Sequence, residues 1–315
     1  MTQAMQPLIE QRADPFVYQH TDGYYYFSAS VPAYDCIELR RSKTIAGLAS
    51  AERVAVWRKP DTGPYSQLIW APEIHFHSGR WYVYFAAAHT REIKDELFQH
   101  RMWAISTDAV NPLEGSWGEP VQILTPWDTF CLDATTFYQG GELYYLWAQK
   151  YPEIRGNSNL YLAKMKDPLT IMGDPVMLTK PEFDWETIGF WVNEGPGILR
   201  HGDRIFITYS ASATDENYAV GLLWAHQNSN LMDAASWTKS TQPVFRSCFE
   251  HGVYGPGHNS FTKSEDGSAD VLVYHARTYT EIVGDPLWDP NRHTYVKCVR
   301  WTDEGFPDFG RPSLP

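Results

Sequence analysis

The stretch APEIHFHSGRWYVYFAAA, Ala71 to Ala88, reads as two strands folded about a tight turn at Ser78-Gly79. A polar residue, Glu73, stands at its head, and an aromatic-rich strand ends on small residues. Four other stretches repeat this plan: ADPFVYQHTDGYYYFSAS from Ala13, LDATTFYQGGELYYLWAQ from Leu132, NEGPGILRHGDRIFITYSAS from Asn193, and GPGHNSFTKSEDGSADVLVYHA from Gly255. Their leading polar residues, Asp14, Glu73, Asp133, Glu194 and His258, recur about every 60 residues, the signature of a repeat architecture.

Third strands follow in each unit, DCIELRRS, HRMWAIST, SNLYLAKM, AVGLLWAHQ and TYVKCVRW, separated by turns bearing Pro, Gly or Trp. Fourth strands follow in four units: RVAVWRK, EPVQILT, DPVMLTK and QPVFRS. Segment 90–99, TREIKDELFQ, reads as a long loop. Five four-stranded antiparallel sheets repeated radially make an all-β, five-bladed β-propeller, whose innermost strands line a central channel. No change of composition marks a second domain, so residues 1–315 are expected to form one propeller. TYVKCVRW has no fourth strand after it, so residues 1–10 are expected to supply that strand and close the ring.

Composition supports a well-filled core: 43% of the 315 residues are hydrophobic, and 13 Trp, 19 Tyr and 15 Phe are unusually many. Most of these rings are expected in the core, the rest being free to stack on flat apolar faces such as those of sugars. A net charge of -12 argues against a nucleic-acid partner, which would require a basic face. The four cysteines, Cys36, Cys131, Cys248 and Cys298, are scattered without a CxxC pair and read as reduced thiols. The N-terminal stretch lacks an apolar signal core and no run spans a bilayer. With a mean hydropathy of -0.41, these features predict a cytoplasmic protein, or a secreted one if a leader has been removed.

If the head of each innermost strand faces the same end of the axis, four carboxylates and one imidazole converge on a single funnel. Crowded carboxylates raise one another's pKa and cost stability, so a merely structural protein has little use for them. Opposed carboxyl groups are what glycosidic bond cleavage requires: one protonated to serve the leaving oxygen, the other ionised to activate water or attack the sugar.

ADPFV (13–17), WAPEIHF (70–76), CLDATTF (131–137), NEGPGIL (193–199) and GPGHNSF (255–261) together resemble glycoside hydrolase family 43, in the family's order and over about residues 10–310. The resemblance implies a five-bladed propeller and an inverting mechanism, with Asp14 as general base, Glu194 as general acid, and Asp133 tuning and orienting that acid. It assigns no chemistry to Glu73, which is taken as structural. It places Arg292 where relatives carry an arginine reaching the terminal sugar, with Arg277 as the rival for that task. Trp70 and Phe130 flank the motif positions and are candidates to wall the pocket, core packing being their ordinary alternative. In arabinan-cleaving relatives the residue matching His258 lies beside an axial calcium or other ion, usually through water. A structural ion near His258 is therefore expected, although calcium prefers oxygen ligands, and no cofactor for the chemistry.

Family members act mostly on α-L-arabinofuranosides and β-D-xylosides. The chain ends at Pro315, directly after the fifth unit, without the further domain that many β-xylosidases carry. The expectation is thus an exo-α-L-arabinofuranosidase acting on 1,5-linked arabino-oligosaccharides. A β-xylosidase or endo-arabinanase of the same family is the alternative, and a non-catalytic glycan-binding propeller is the alternative from another class. The five-bladed fructan and sucrose hydrolases, with an NDPNG-like nucleophile motif, fit RADPFV poorly.

Overall fold

The computed structural model describes residues 6–312. Five antiparallel sheets follow one another along the chain, and their innermost strands are Ala13–Gln19, Gln67–His77, Cys131–Gln139, Asn193–His201 and Tyr254–Lys263. Each packs on the next, and the fifth packs on the first, so the strands close a ring about one axis. The chain is a five-bladed β-propeller. Among the described residues the only helical elements are five short 3-10 turns.

The first four sheets have four strands each, the fourth strand of the fourth blade being Thr238–Lys239. The sequence had suggested QPVFRS (242–247) for that strand. Instead it runs alongside the blade's third strand through a single bridge, Val220 to Phe245, because Pro243 lacks the N–H that a ladder needs. Segment 90–99 is a loop, as expected, pinched by a Lys94–Leu97 bridge.

The fifth sheet has three strands of its own, and the chain's beginning completes it. Leu8 donates its N–H to the Thr294 carbonyl at 2.8 Å, and Thr294 returns an N–H to Ile9 at 2.8 Å. Residues 8–9 thus occupy the fourth-strand position, as the expectation for 1–10 required; residues 1–5 lie outside the described residues. Ile9, Val17, Phe27, Val271 and Val273 share one buried cluster that seals the first blade against the fifth. A ring closed between its first and last segments has no free inner edge to fray.

Between the other blades the aromatics fill the core, as alternation predicts: Trp81, Tyr84, Tyr145, Trp147, Tyr209 and Tyr274 are fully buried. Cys36, Cys131, Cys248 and Cys298 are free thiols.

Candidate active site

Each innermost strand carries a β-bulge near its first turn, where two residues oppose one on the neighbouring strand. Pairing jumps from Ala13 to Phe16, Trp70 to Glu73, Leu132 to Thr135, Glu194 to Gly197, and Gly257 to Ser260. The first bulged residue adopts a left-handed backbone every time: Asp14 (φ 54), Ala71 (φ 44), Asp133 (φ 52), Gly195 (φ 53) and His258 (φ 39). Only Gly195 does so without steric cost, and such strain concentrates where position matters more than stability. Gly195 serves a second need, since a Cβ there would stand 2.9 Å from the His258 ring.

A bulge leaves an N–H outside its own ladder, and here the neighbouring blade takes it. Asp14 donates to Nδ1 of His275 (3.0 Å), Ala71 to Oγ of Ser30 (2.8 Å), Gly195 to Oδ2 of Asp133 (3.1 Å), and His258 to Oγ of Ser210 (2.7 Å). Three of the four acceptors lie near the ends of second strands. That is why those strands finish on small or polar residues.

This register corrects the simple series of leading residues. Asp14, Asp133 and His258 are equivalent, Glu194 stands one position earlier, and Glu73 stands two positions later than the bulge residue of its blade. At about 3.3 Å per residue, Glu73 sits some 6–7 Å deeper along the channel. It does not line the funnel; Asp14, Asp133, Glu194 and His258 do, around a cavity of about 160 Å³.

All three funnel carboxylates are buried to different effect. Burial opposes ionisation of Asp14, but His258 when protonated, and Arg292 at all accessible pH, outweigh it and hold the carboxyl well below the usual range. Nη1 of Arg292 lies 3.4 Å from Oδ1 of Asp14, Nδ1 of His258 lies 3.3 Å from it, and the Ser30 hydroxyl donates to Oδ2 at 2.5 Å. His275 also stands 3.4 Å from Oδ1, yet its Nδ1 already accepts the Asp14 N–H. That nitrogen has no proton to give the carboxylate, so the contact is not a hydrogen bond.

Burial pushes Glu194 up to about 7, the Asp14 charge adding to the effect, while the Tyr218 hydroxyl, donating to Oε1 at 2.8 Å, and Arg292 pull against it. Asp133 is raised well above the carboxylate range by burial and by the charges of Glu194 and Asp14. The site therefore holds one carboxylate that is ionised and two that resist ionisation.

Arg292 is buried against the cavity. Nη2 donates to Tyr34 Oη at 2.9 Å, Tyr34 donates onward to the Leu287 carbonyl at 2.8 Å, and Nε has no protein partner. Trp70 and Phe130 line the same cavity, Trp70 stacked on His100 at 3.7 Å with its indole N–H unpartnered.

Arg277 does not reach the funnel. Its guanidinium donates to the carbonyls of Thr214 and Pro286 and faces Asp289, so it straps the 285–289 loop behind the wall. Arg277 is buried and does not line the cavity, so its guanidinium is kept from a sugar by the wall it braces. Among the described residues, no group of three or more His, Cys, Asp or Glu side chains is arranged to hold a metal. An ion beside His258 would have to be held largely through water.

Several contributors escaped the sequence reading. Tyr218 and Tyr34 come from outer parts of the chain. The only hint of Tyr218 was the glycine of GPGH: a Cβ on Gly257 would stand 2.4 Å from the Tyr218 ring. Glu186, fully buried, accepts from the N–H groups of Glu182 and Phe183, from Tyr209 Oη (2.8 Å), from Asn193 (3.1 Å) and from Lys239 (2.9 Å). It fixes the residue immediately before Glu194.

Residues 4–307 match the model of glycosyl hydrolases family 43. An extracellular exo-α-(1→5)-L-arabinofuranosidase of Streptomyces avermitilis is 53% identical over 97% of this chain, which spans 63% of that relative's length. One of the same description from Streptomyces chartreusis is 50% identical over 89% of this chain and 84% of its own length. The crystal structure of an α-L-arabinofuranosidase from Lactobacillus brevis, 57% identical, superposes with a TM-score of 0.96 over 98% of this chain and 97% of its own. The motifs, the ring of blades and these relatives agree: the chain belongs to glycoside hydrolase family 43.

Proposed function

We propose that the chain is an exo-acting α-L-arabinofuranosidase that releases terminal L-arabinofuranose from α-1,5-linked arabino-oligosaccharides with inversion. The observation that carries the reading is the funnel itself, a small cavity holding one carboxyl group kept ionised and two whose ionisation burial opposes. Its volume of about 160 Å³ suits one sugar ring rather than a polymer lying across it. The 93–98 loop and Leu287 wall it, which favours exo over endo action. The relatives' names favour arabinose over xylose. They also favour the secreted address over the cytoplasmic one, two of them being named extracellular. The net charge of -12 disfavours nucleic acid, and among the described residues no helix is long and apolar enough to cross a membrane.

In this reading Asp14 takes a proton from water as the water oxygen attacks the anomeric carbon. Glu194 gives its proton to the departing glycosidic oxygen as that C–O bond breaks. Tyr218 donates to Oε1, so the acid proton of Glu194 rides on Oε2. Asp133 holds the N–H of Gly195 and so orients the acid. Arg292 keeps Asp14 ionised and, lining the cavity, presents its guanidinium to a sugar hydroxyl.

Incubation with blocked arabinotriose and with linear arabinan tests the reading. From linear arabinan free arabinose is expected as the sole early small product, arabinotriose blocked at its non-reducing end should resist cleavage, and a nitrophenyl arabinofuranoside should be cleaved far faster than the xyloside. Arabinobiose or longer fragments appearing first from arabinan, or a preference for xyloside, would overturn it.

Tyr218→Phe tests the acid's environment. Its hydroxyl favours the ionised form of Glu194, so its removal raises that pKa above about 7. The alkaline limb of kcat/KM moves to higher pH. A limb that stays or moves lower would mean that Tyr218 does not govern the acid.

A further inference from the structure

Below the funnel the channel holds polar groups that the mechanism does not use. Nε2 of His75 lies 2.9 Å from Oε2 of Glu73, Nδ1 of His75 lies 3.1 Å from Oγ1 of Thr136, and Nε2 of His77 lies 2.9 Å from that same hydroxyl. The two imidazoles are nearly parallel, at 14°. Nδ1 of His77 has no protein partner. His75, Thr136 and His77 line a cavity of about 370 Å³ formed by the far ends of the innermost strands, opposite the funnel.

We propose that Glu73, His75, Thr136 and His77 form a proton relay that connects the underside of the funnel to the opposite mouth of the channel, and so sets the charge beneath Asp133. The inference rests on Asp133 belonging to the active site, not on which sugar is cleaved.

The order of donors follows from counting protons. Burial lowers both histidines to about 3, so each ring is neutral and carries one N–H. Burial also raises Glu73, to about 8. Below that pH its carboxyl donates to Nε2 of His75, which must then hold its own proton on Nδ1 and donate to Thr136. The Thr136 hydroxyl donates to Nε2 of His77, and the proton of His77 is left on Nδ1. Ionised Glu73 reverses every donor.

Passage of one proton therefore balances. It moves from Oε2 to Nε2 of His75, the Nδ1 proton of His75 moves to Thr136, and the hydroxyl proton moves to Nε2 of His77. The Nδ1 proton of His77 then passes to hydroxide or water that reaches this buried nitrogen from the lower cavity. Only Glu73 changes charge.

The groups that feel or face Glu73 are His75 on its own strand, Thr135 and Asp133 on the third blade's inner strand, Tyr145 beside them, and His258 on the fifth. The charge of Glu73 opposes that of Asp133.

Long-range proton–nitrogen NMR on the full chain labelled at histidine nitrogen tests the relay, with His77 assigned through His77→Gln. At pH 6 both rings should be the Nδ1–H tautomer, and both should switch to Nε2–H around pH 8. In Glu73→Gln neither ring should respond to pH. In Thr136→Val, His75 should still switch while His77 no longer does. Rings that hold one tautomer from pH 6 to 10, opposite tautomers at the two rings, or a His77 switch that survives Thr136→Val would overturn the proposal. The wild-type and Thr136→Val arms decide it even if Glu73→Gln fails to fold.

Discussion

Glu194→Ala should cripple cleavage of arabinobiose, by about 10²–10⁴ in kcat/KM, yet spare much of the activity on a dinitrophenyl arabinofuranoside. A sugar alcohol leaves badly as an anion, whereas dinitrophenolate leaves readily without a proton. The asymmetry follows from the surroundings of Glu194. It is buried, raised to about 7 and fixed by Tyr218, an environment suited to holding a proton that is then given away. Glu186 and Asn193 anchor the segment independently of the Glu194 side chain, so the variant should fold. Equal losses on the two substrates would remove Glu194 from the acid's role.

Asp14→Asn should fail on both substrates alike, by a similar factor of about 10²–10⁴, because water must be activated whatever departs. It should also destabilise the fold, by about 3–5 kcal/mol, since it strips Arg292 of its buried counter-charge. The pH dependence has a definite sign. A carboxyl depressed in the folded state lends stability above its unfolded pKa, near 3.9, and loses it as pH falls toward the folded value. Wild-type stability should therefore drop below about pH 4, and the Asn variant should lack that component. Kinetics on the two substrates and urea midpoints across pH measure both effects. Proton NMR of early wild-type product should show the inverted anomer, as expected for Asp14 acting on water. A retained anomer, or an Asn variant as active as the wild type on the activated substrate, would sink the assignment.

The fold was legible because its causes are local. Alternation of apolar and polar residues, glycine turns such as Ser78-Gly79, and repetition of the unit are properties of neighbouring residues, and they name a propeller before any contact is known. The unpaired third strand of the last unit even pointed to the N-terminal segment, now paired through Leu8 and Ile9 with Thr294.

The site was legible only in part. Asp14, Asp133 and Glu194 could be picked because their motifs recur in order. Their level along the axis could not, because a bulge adds one residue to one strand without leaving a distinctive sequence. Hence Glu73, grouped with the others by spacing, lies deeper, and Glu194 reaches the funnel from the position before its bulge. The two arginines of the fifth blade show the same limit. Both Arg277 and Arg292 sit near strand ends, and only the folded chain gives one of them the Thr214 and Pro286 carbonyls to hold and leaves the other facing Asp14.

Sequence by itself thus determined most of the strands, the count of blades and the candidate carboxylates, since each follows from residues close in the chain. Tertiary structure alone decided which carboxylate is ionised, which tyrosine touches the acid, and which histidines join into a chain through the channel. Those depend on groups far apart in the chain meeting within about 3 Å at buried positions, where a single neighbouring charge or donor moves a proton equilibrium by several powers of ten.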